Sequence, residues 1–236
     1  MTTISFTLNN REIEAREGEN LLEAAARHGV AIPHLCYQKG LRADGNCRAC
    51  VVEIAGERVL APSCCRAPQA GMKITTNSER ARAAQKMVLE LLQSDMPTTA
   101  LSKNSELDHW CAELGITAPR FSRRAALNAD HSHPGISVDL NACIQCTRCV
   151  RACRETQVND VIGYAWRGAQ SAIVFDFADA MGQSSCVGCG ECVQVCPTGA
   201  LRTTDEISAH DTADKKIESL CPYCGVGCQV TYHLAG

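Results

Sequence analysis

Two cysteine runs constrain this chain more than anything else in it: Cys143-x2-Cys146-x2-Cys149-x3-Cys153 and Cys186-x2-Cys189-x2-Cys192-x3-Cys196-Pro197. Three cysteines spaced two apart wrap a loop around three corners of an iron–sulfur cube. The fourth, expected at the start of a helix, reaches across to the neighbouring cube, so the wiring is crossed. Cys143, Cys146 and Cys149 then share one [4Fe–4S] cluster with Cys196, and Cys186, Cys189 and Cys192 share a second with Cys153. Gly188 and Gly190 are expected to let the backbone approach the sulfides where a side chain would collide, and Pro197 to fix the exit from the second run. Arg148, Arg151 and Arg154 read as surface or sulfur-shell charges. Two cubes at short range have one use, passing single electrons along a line.

The rest of the composition agrees. Cysteine stands at 17 of 236 residues, an odd number bunched at short spacings, which argues against a disulfide framework. The opening MTTISFTLNN lacks the charged start and apolar run of a signal peptide. No stretch approaches the roughly 18 apolar residues needed to cross a bilayer. The expected compartment is cytoplasmic, where thiols stay reduced and clustered thiols mean metal. A net charge of -3 supplies neither a basic surface for nucleic acid nor a polybasic membrane patch. No GxGxxG loop and no nucleophile–base pair is visible, so the site residues expected here are metal ligands and none is catalytic.

A separate thiol set lies upstream. Cys36, Cys47, Cys50 and Cys64 are separated by ten, two and thirteen residues. The Cys47-Arg-Ala-Cys50 pair can grip one iron or bracket a cluster edge, and Gly45 lets the backbone fold close and turn N–H groups toward sulfide. Four thiolates, two per ferric ion, suit [2Fe–2S]. The competing Cys₄ zinc site normally uses two Cys-x-x-Cys knuckles, and only one is present.

Four segments follow from patterning, together an α+β chain. Residues 1–78 form a small β-rich unit. Ile4, Phe6 and Leu8 alternate as a strand, the Asn9-Asn10 turn leads to a second strand over Arg11–Ala15, and Cys50–Ile54 offers another. Asn20 with Glu23 starts a helix over Leu21–Arg27 that Gly29 ends. Residues 79–132 form a helical connecting region. A capping box of Thr76 and Glu79 precedes a helix to about Ser94, with further helical pieces at Leu107–Leu114 and Arg123–Asn128. Residues 133–215 hold the repeat, and 216–236 begin another domain that looks cut short.

The stretch CYQKGLRADGNCRACVVEI, followed by Ser63-Cys64-Cys65, resembles the [2Fe–2S] domain of the complex I large iron–sulfur subunit and its relatives, which implies a β-grasp ferredoxin. In that pattern the cysteine directly after Ala-Ser is the last ligand, which selects Cys64 and leaves Cys65 as a packed spare thiol. The repeat resembles a two-cluster ferredoxin-like domain. Cys221-Pro-Tyr-Cys224-Gly-Val-Gly-Cys228 fits three corners of a further [4Fe–4S] cube, whose fourth ligand would lie beyond Gly236. CPYCGVGCQVTYHL resembles the opening of the molybdopterin oxidoreductase domain of formate dehydrogenases.

The order of motifs resembles the alpha subunit of cytoplasmic NAD-linked formate dehydrogenases. That resemblance implies a molybdenum or tungsten bis-pterin site downstream and a flavin- and NAD-binding diaphorase (beta) subunit as partner, with no nucleic acid and no membrane insertion. One departure stands out. Many relatives carry His-x3-Cys-x2-Cys-x5-Cys between the two cluster regions, whereas DMPTTALSKNSELDHWC supplies only His109 and Cys111, too few for a cluster. His109 is expected on a helix surface, His34 in a loop, and His131 and His133 flank a turn without a role. The alternatives are a standalone carrier subunit of a hydrogenase diaphorase or complex I-like assembly, and a zinc scaffold. The tail motif favours the first reading over both.

Overall fold

The computed structural model describes residues 3–98, 101–102, 105–204, 215–222 and 225–234. Cys224 lies outside the described residues.

The first unit is a five-stranded sheet with one helix laid on it. Strands β1 (Thr3–Leu8) and β2 (Arg11–Arg16) form an antiparallel hairpin. It turns through Asn9 and Asn10, both with positive φ, a conformation asparagine tolerates. Helix α1 (Leu21–Arg27) starts with both halves of the expected capping box: Glu23 N donates to Asn20 Oδ1 at 2.9 Å and Asn20 N to Glu23 Oε2 at 3.2 Å. Strands β3 (Val51–Ile54), β4 (Ala61–Pro62) and β5 (Lys73–Thr75) complete the order β2-β1-β5-β3-β4, with β5 parallel to β1. Phe6, Leu8, Leu21, Ala24, Val52 and Ile74 close the core beneath α1. Aliphatic burial of this kind is worth about 25 cal/mol per Å² removed from water.

Helix α2 (Glu79–Ser94) begins later than a Thr76 cap would place it. Ser78 is the N-cap, its Oγ accepting from Ala81 N at 3.2 Å. Thr76 is committed elsewhere, since its N–H donates to Asn9 Oδ1 and its hydroxyl accepts from Asn9 Nδ2, each at 2.8 Å. Helix α3 (Glu106–Glu113) forms as expected behind Ser105. The helix expected at Arg123–Asn128 does not form. Arg124 N donates to Asp95 Oδ1, Leu127 N donates to Asn141 Oδ1, and the Arg124 guanidinium holds the carbonyls of Leu140 and Cys143. With those groups bonded outward, the segment stays out of a helix.

The repeat region pairs β6 (Ile136–Val138) with β9 (Leu201–Thr203), and β7 (Ile162–Ala165) with β8 (Ala172–Phe175), around short helices α4 (Arg148–Arg151) and α5 (Glu191–Gln194). The last strands, β10 (Lys215–Leu220) and β11 (Gln229–Leu234), form an antiparallel hairpin whose described residues are almost all exposed. Among the described residues no helix is long and apolar enough to cross a membrane.

A third apolar cluster joins the two thiol regions. Leu35, Cys36, Ala49, Leu89, Leu107, Cys111 and Ile116 pack with Ile144 and Cys146, so α2 and α3 wedge between the first unit and the repeat. Ser78→Ala is expected to cost about 1 kcal/mol, read as a lower urea midpoint at unchanged slope. A larger loss from Thr76→Ala than from Ser78→Ala, traced to α2 helicity rather than to the hairpin, would restore the Thr76 cap.

Candidate metal centre

Every described cysteine is a free thiol. The first set meets at one point. The loop after α1 carries Cys36, the turn before β3 carries Cys47 and Cys50, and the 3₁₀ turn Ser63–Cys65 after β4 carries Cys64. Cys36 N donates to Cys47 Sγ at 3.4 Å. The thiols of Cys36, Cys47, Cys50 and Cys64 lie close enough to shift one another's proton affinity. Bonds from its neighbours favour the Cys36 thiolate and push its pKa down, while Cys47 and Cys64, which give up those protons, are pushed up. Ser63 Oγ braces the Cys50 carbonyl at 2.8 Å.

Cys64 is buried at 1% exposure whereas Cys65 faces solvent, so the expected packed spare thiol is an exposed one. Their sulfurs stand 3.6 Å apart. Gly45 is needed here for space as well as for its φ of +63°, because a Cβ would lie 2.8 Å from Cys65 Sγ.

The eight repeat thiols fall into two groups. Burial pushes the Cys149 thiol well up, and the neighbouring thiol charges that add to it come from Cys146, Cys143 and Cys196, with Cys192 after them. Burial likewise lifts Cys192 to about 12, with further contributions from Cys186, Cys189, Cys153 and Cys196. Cys153, Cys186, Cys189 and Cys192 also line one cavity of about 20 Å³. Cys196 thus acts electrostatically on the first-run thiols, and Cys153 lines a cavity with the thiols of the second run.

Neither fourth cysteine starts an α-helix: Cys153 is the second residue of the π-helical turn Ala152–Thr156 that continues α4, and Cys196 lies beyond the end of α5. Cys149 and Cys192 are inside α4 and α5.

The two runs share a local device. Two residues after the first cysteine, a backbone N–H returns to its sulfur: Gln145 N to Cys143 Sγ and Gly188 N to Cys186 Sγ, both at 3.4 Å. That position and the one two further on are left-handed in both runs, Gln145 and Thr147 in the first, Gly188 and Gly190 in the second. A Cβ on Gly190 would meet nothing within 4 Å, and one on Gly188 only the His133 ring at 3.6 Å. Both glycines are left-handed, at φ +68° and +81°.

Of the three arginines, only Arg154 is at the surface, paired with Asp160. Arg148 is 1% exposed and bidentate to Glu106, at 2.6 and 2.8 Å. Glu106 N in turn donates to the Pro197 carbonyl, which ties α3 to the exit of the second run. Arg151 is buried between the two regions. Its Nη2 donates to the carbonyls of Cys36 at 2.5 Å and Cys146 at 3.1 Å, Nη1 bonds the Arg42 carbonyl, and Nε lies 3.1 Å from Asp44 Oδ2. Asn46 Nδ2 adds bonds to the Cys146 carbonyl and Thr147 Oγ1, and that hydroxyl reaches Asp44. Asp44, Asn46 and Thr147 carry no motif. Nothing in the sequence signals this contact.

Among the described residues no three His, Cys, Asp or Glu side chains are arranged around a single ion. A cluster asks for something different, because its thiolates bond different irons of a larger body. The donor set fits one: grouped free thiols, N–H groups turned onto sulfur, and a buried donor, Arg148 Nε, left without a protein partner. Elevated thiol pKa values mean that metal uptake displaces protons. Cys111 is a core residue, its thiol raised to about 11 by burial and then by Asp108. His109 is exposed beside Trp110, and His34 bonds the Ile32 carbonyl with its ring 5.7 Å from Trp110. His131 bonds Ser137, and His133 Nδ1 accepts from Gly135 and Ile136. In the tail, Cys221 N donates to the Cys228 carbonyl at 2.8 Å across the hairpin.

Residues 1–79 match the 2Fe-2S iron-sulfur cluster binding domain, and residues 133–202 match the ferredoxin-like domain of NADH-quinone oxidoreductase subunit 3. An NADH-quinone oxidoreductase subunit of Rhizobium meliloti (strain 1021) is 34% identical over 97% of this chain. A proposed formate dehydrogenase of Staphylococcus aureus (strain USA300) is 25% identical over 94%. The chain spans 27% of the length of each. A solved structure of NAD+-reducing [NiFe]-hydrogenase in the H2-reduced state superposes with a TM-score of 0.78 at 29% identity, covering 85% of this chain and 87% of that one.

Gly190→Ala, at φ +81° with open space around it, is expected to destabilise the chain by about 1 kcal/mol through left-handed strain alone. The check is a urea titration against wild type, and equal midpoints would remove the backbone explanation.

Proposed function

We propose, for a chain whose two matched domains are those of complex I-like iron–sulfur proteins, that it is the electron relay of an NAD-linked formate dehydrogenase alpha subunit. The observation that carries the relay reading is the packing of Cys36 and Cys146 in one apolar cluster, which sets the first thiol set directly against the first run. In this reading Cys36, Cys47, Cys50 and Cys64 hold a [2Fe–2S] cluster. Cys143, Cys146, Cys149 and Cys196 hold one [4Fe–4S] cluster, and Cys186, Cys189, Cys192 and Cys153 hold the other. Bound clusters supply one-electron redox states. The protein's part is to bury the thiols, turn N–H groups onto sulfur and keep the sites close.

Formate as the substrate rests on the tail motif and on the similarity to the Staphylococcus aureus protein. Cys221, Cys224 and Cys228 would hold a further [4Fe–4S] cluster with a fourth thiol from elsewhere in the full protein, next to a molybdenum or tungsten bis-pterin site. A flavin- and NAD-binding beta subunit in the cytoplasm would take the electrons. A standalone carrier in a hydrogenase diaphorase or complex I-like assembly is the second reading, favoured by the structural likeness to the hydrogenase.

Two experiments bear on this. With the ligands as assigned, anaerobically reconstituted residues 1–220 should hold about ten irons, and Cys65→Ser should keep them all while Cys64→Ser loses about two. Loss from Cys65→Ser with retention in Cys64→Ser would reverse the assignment. In the full-length enzyme, Cys224→Ser should abolish reduction of the clusters by formate and spare their reduction by NADH through the partner protein. Unimpaired formate reduction in that variant would take the tail off the path and favour the carrier reading.

A further inference from the structure

The side-chain bonds of Arg151 fall on two segments, 36–44 and 146–147. A single nitrogen, Nη2, donates to the carbonyls of Cys36 and Cys146. These two cysteines belong to different thiol sets, and the side chain between them is 4% exposed. We propose that Arg151 is a positioning residue that sets the reduction potentials of the Cys36 and Cys143 sites together and holds them in register for transfer. This rests on the relay reading above.

The physics is electrostatic. Reduction adds one negative charge to a cluster, and a fixed cation beside it stabilises the reduced form. Water screens this weakly, because the guanidinium and both cysteines are buried. The N–H groups also draw electron density from carbonyls belonging to the ligand residues themselves, an outer-shell influence of the kind that tunes metal sites. Asp44, 3.1 Å from Nε, opposes the effect and limits it. Only a planar fork of donors can hold four carbonyls and a carboxylate at once; an ammonium keeps the charge and loses the geometry. The site with Cys186, Cys189, Cys192 and Cys153 receives none of these bonds and serves as an internal reference. Arg154, exposed and paired with Asp160, is the control.

The test is a mediated redox titration of the reconstituted 236-residue chain, followed by electron paramagnetic resonance, with no formate or nicotinamide present. The reference cube is identified by its loss in Cys189→Ser. Arg151→Gln should make the [2Fe–2S] cluster and the Cys143 cube each about tenfold harder to reduce, a fall of about 59 mV for one electron, while the reference cube and Arg154→Gln stay at wild-type values. Arg151→Lys should restore the potentials and still weaken the magnetic interaction between the two sites. Asp44→Asn should move both potentials upward, and decides the matter alone if Arg151→Gln loses iron. Unchanged potentials in a loaded Arg151→Gln chain, an equal fall at all three clusters, or no rise in Asp44→Asn would overturn the proposal alone. A wild-type chain without a [2Fe–2S] signal would overturn the relay reading and this proposal with it.

Discussion

One guanidinium holds the two thiol regions of this chain together. Arg151 is buried, satisfied by the carbonyls of Cys36, Arg42 and Cys146, and neutralised by Asp44. A buried charge is costly unless it is paired and fully bonded, and the loop at 36–46 supplies the Cys36 and Arg42 carbonyls and the Asp44 carboxylate that do this for Arg151. The apolar cluster of Leu35, Cys36, Leu89, Leu107 and Cys146 closes around that contact. Arg148 with Glu106 repeats the solution on the far side, pinning α3 to the second run. The connecting region thereby becomes a wedge between the two units rather than a tether.

Most of what is legible in the sequence is local. The Asn20–Glu23 cap, the Asn9-Asn10 turn and the spacing of the runs are settled by residues within a few positions of one another, and the fold follows them. Thr76 misleads as a cap because a competing partner, Asn9, lies 67 residues away. Arg123–Asn128 misleads as a helix because its donors are spent on Asp95 and Asn141. The arginines mislead for the same reason. Nothing within the run distinguishes Arg151, which faces another unit, from Arg154, which faces water. The thiol groups are the easier part, since their chemistry is declared by residue type.

The repeat shows that one backbone path serves both runs while the residues along it differ. Gln145 and Thr147 adopt the left-handed conformation that Gly188 and Gly190 take without strain. The first run has a return for that strain: the Thr147 hydroxyl sits between Asp44 and Asn46, and Gln145 bonds Tyr164 and the Ser171 carbonyl. Side chains at those positions build the contact with neighbouring segments, and glycine could not. Strain of this kind persists where surrounding structure over-determines it.

The same contact has a consequence for how the chain reaches its native state. Arg151 and Cys36 are 115 residues apart, and Asn46 and Thr147 are 101 apart. Closing so long a loop costs chain entropy that only the finished contact returns. The hairpin, the helix caps and the N–H bonds within each run need no such closure and form from near neighbours. The seam therefore carries the larger loop-closure cost, and the N–H bonds within each run do not depend on it.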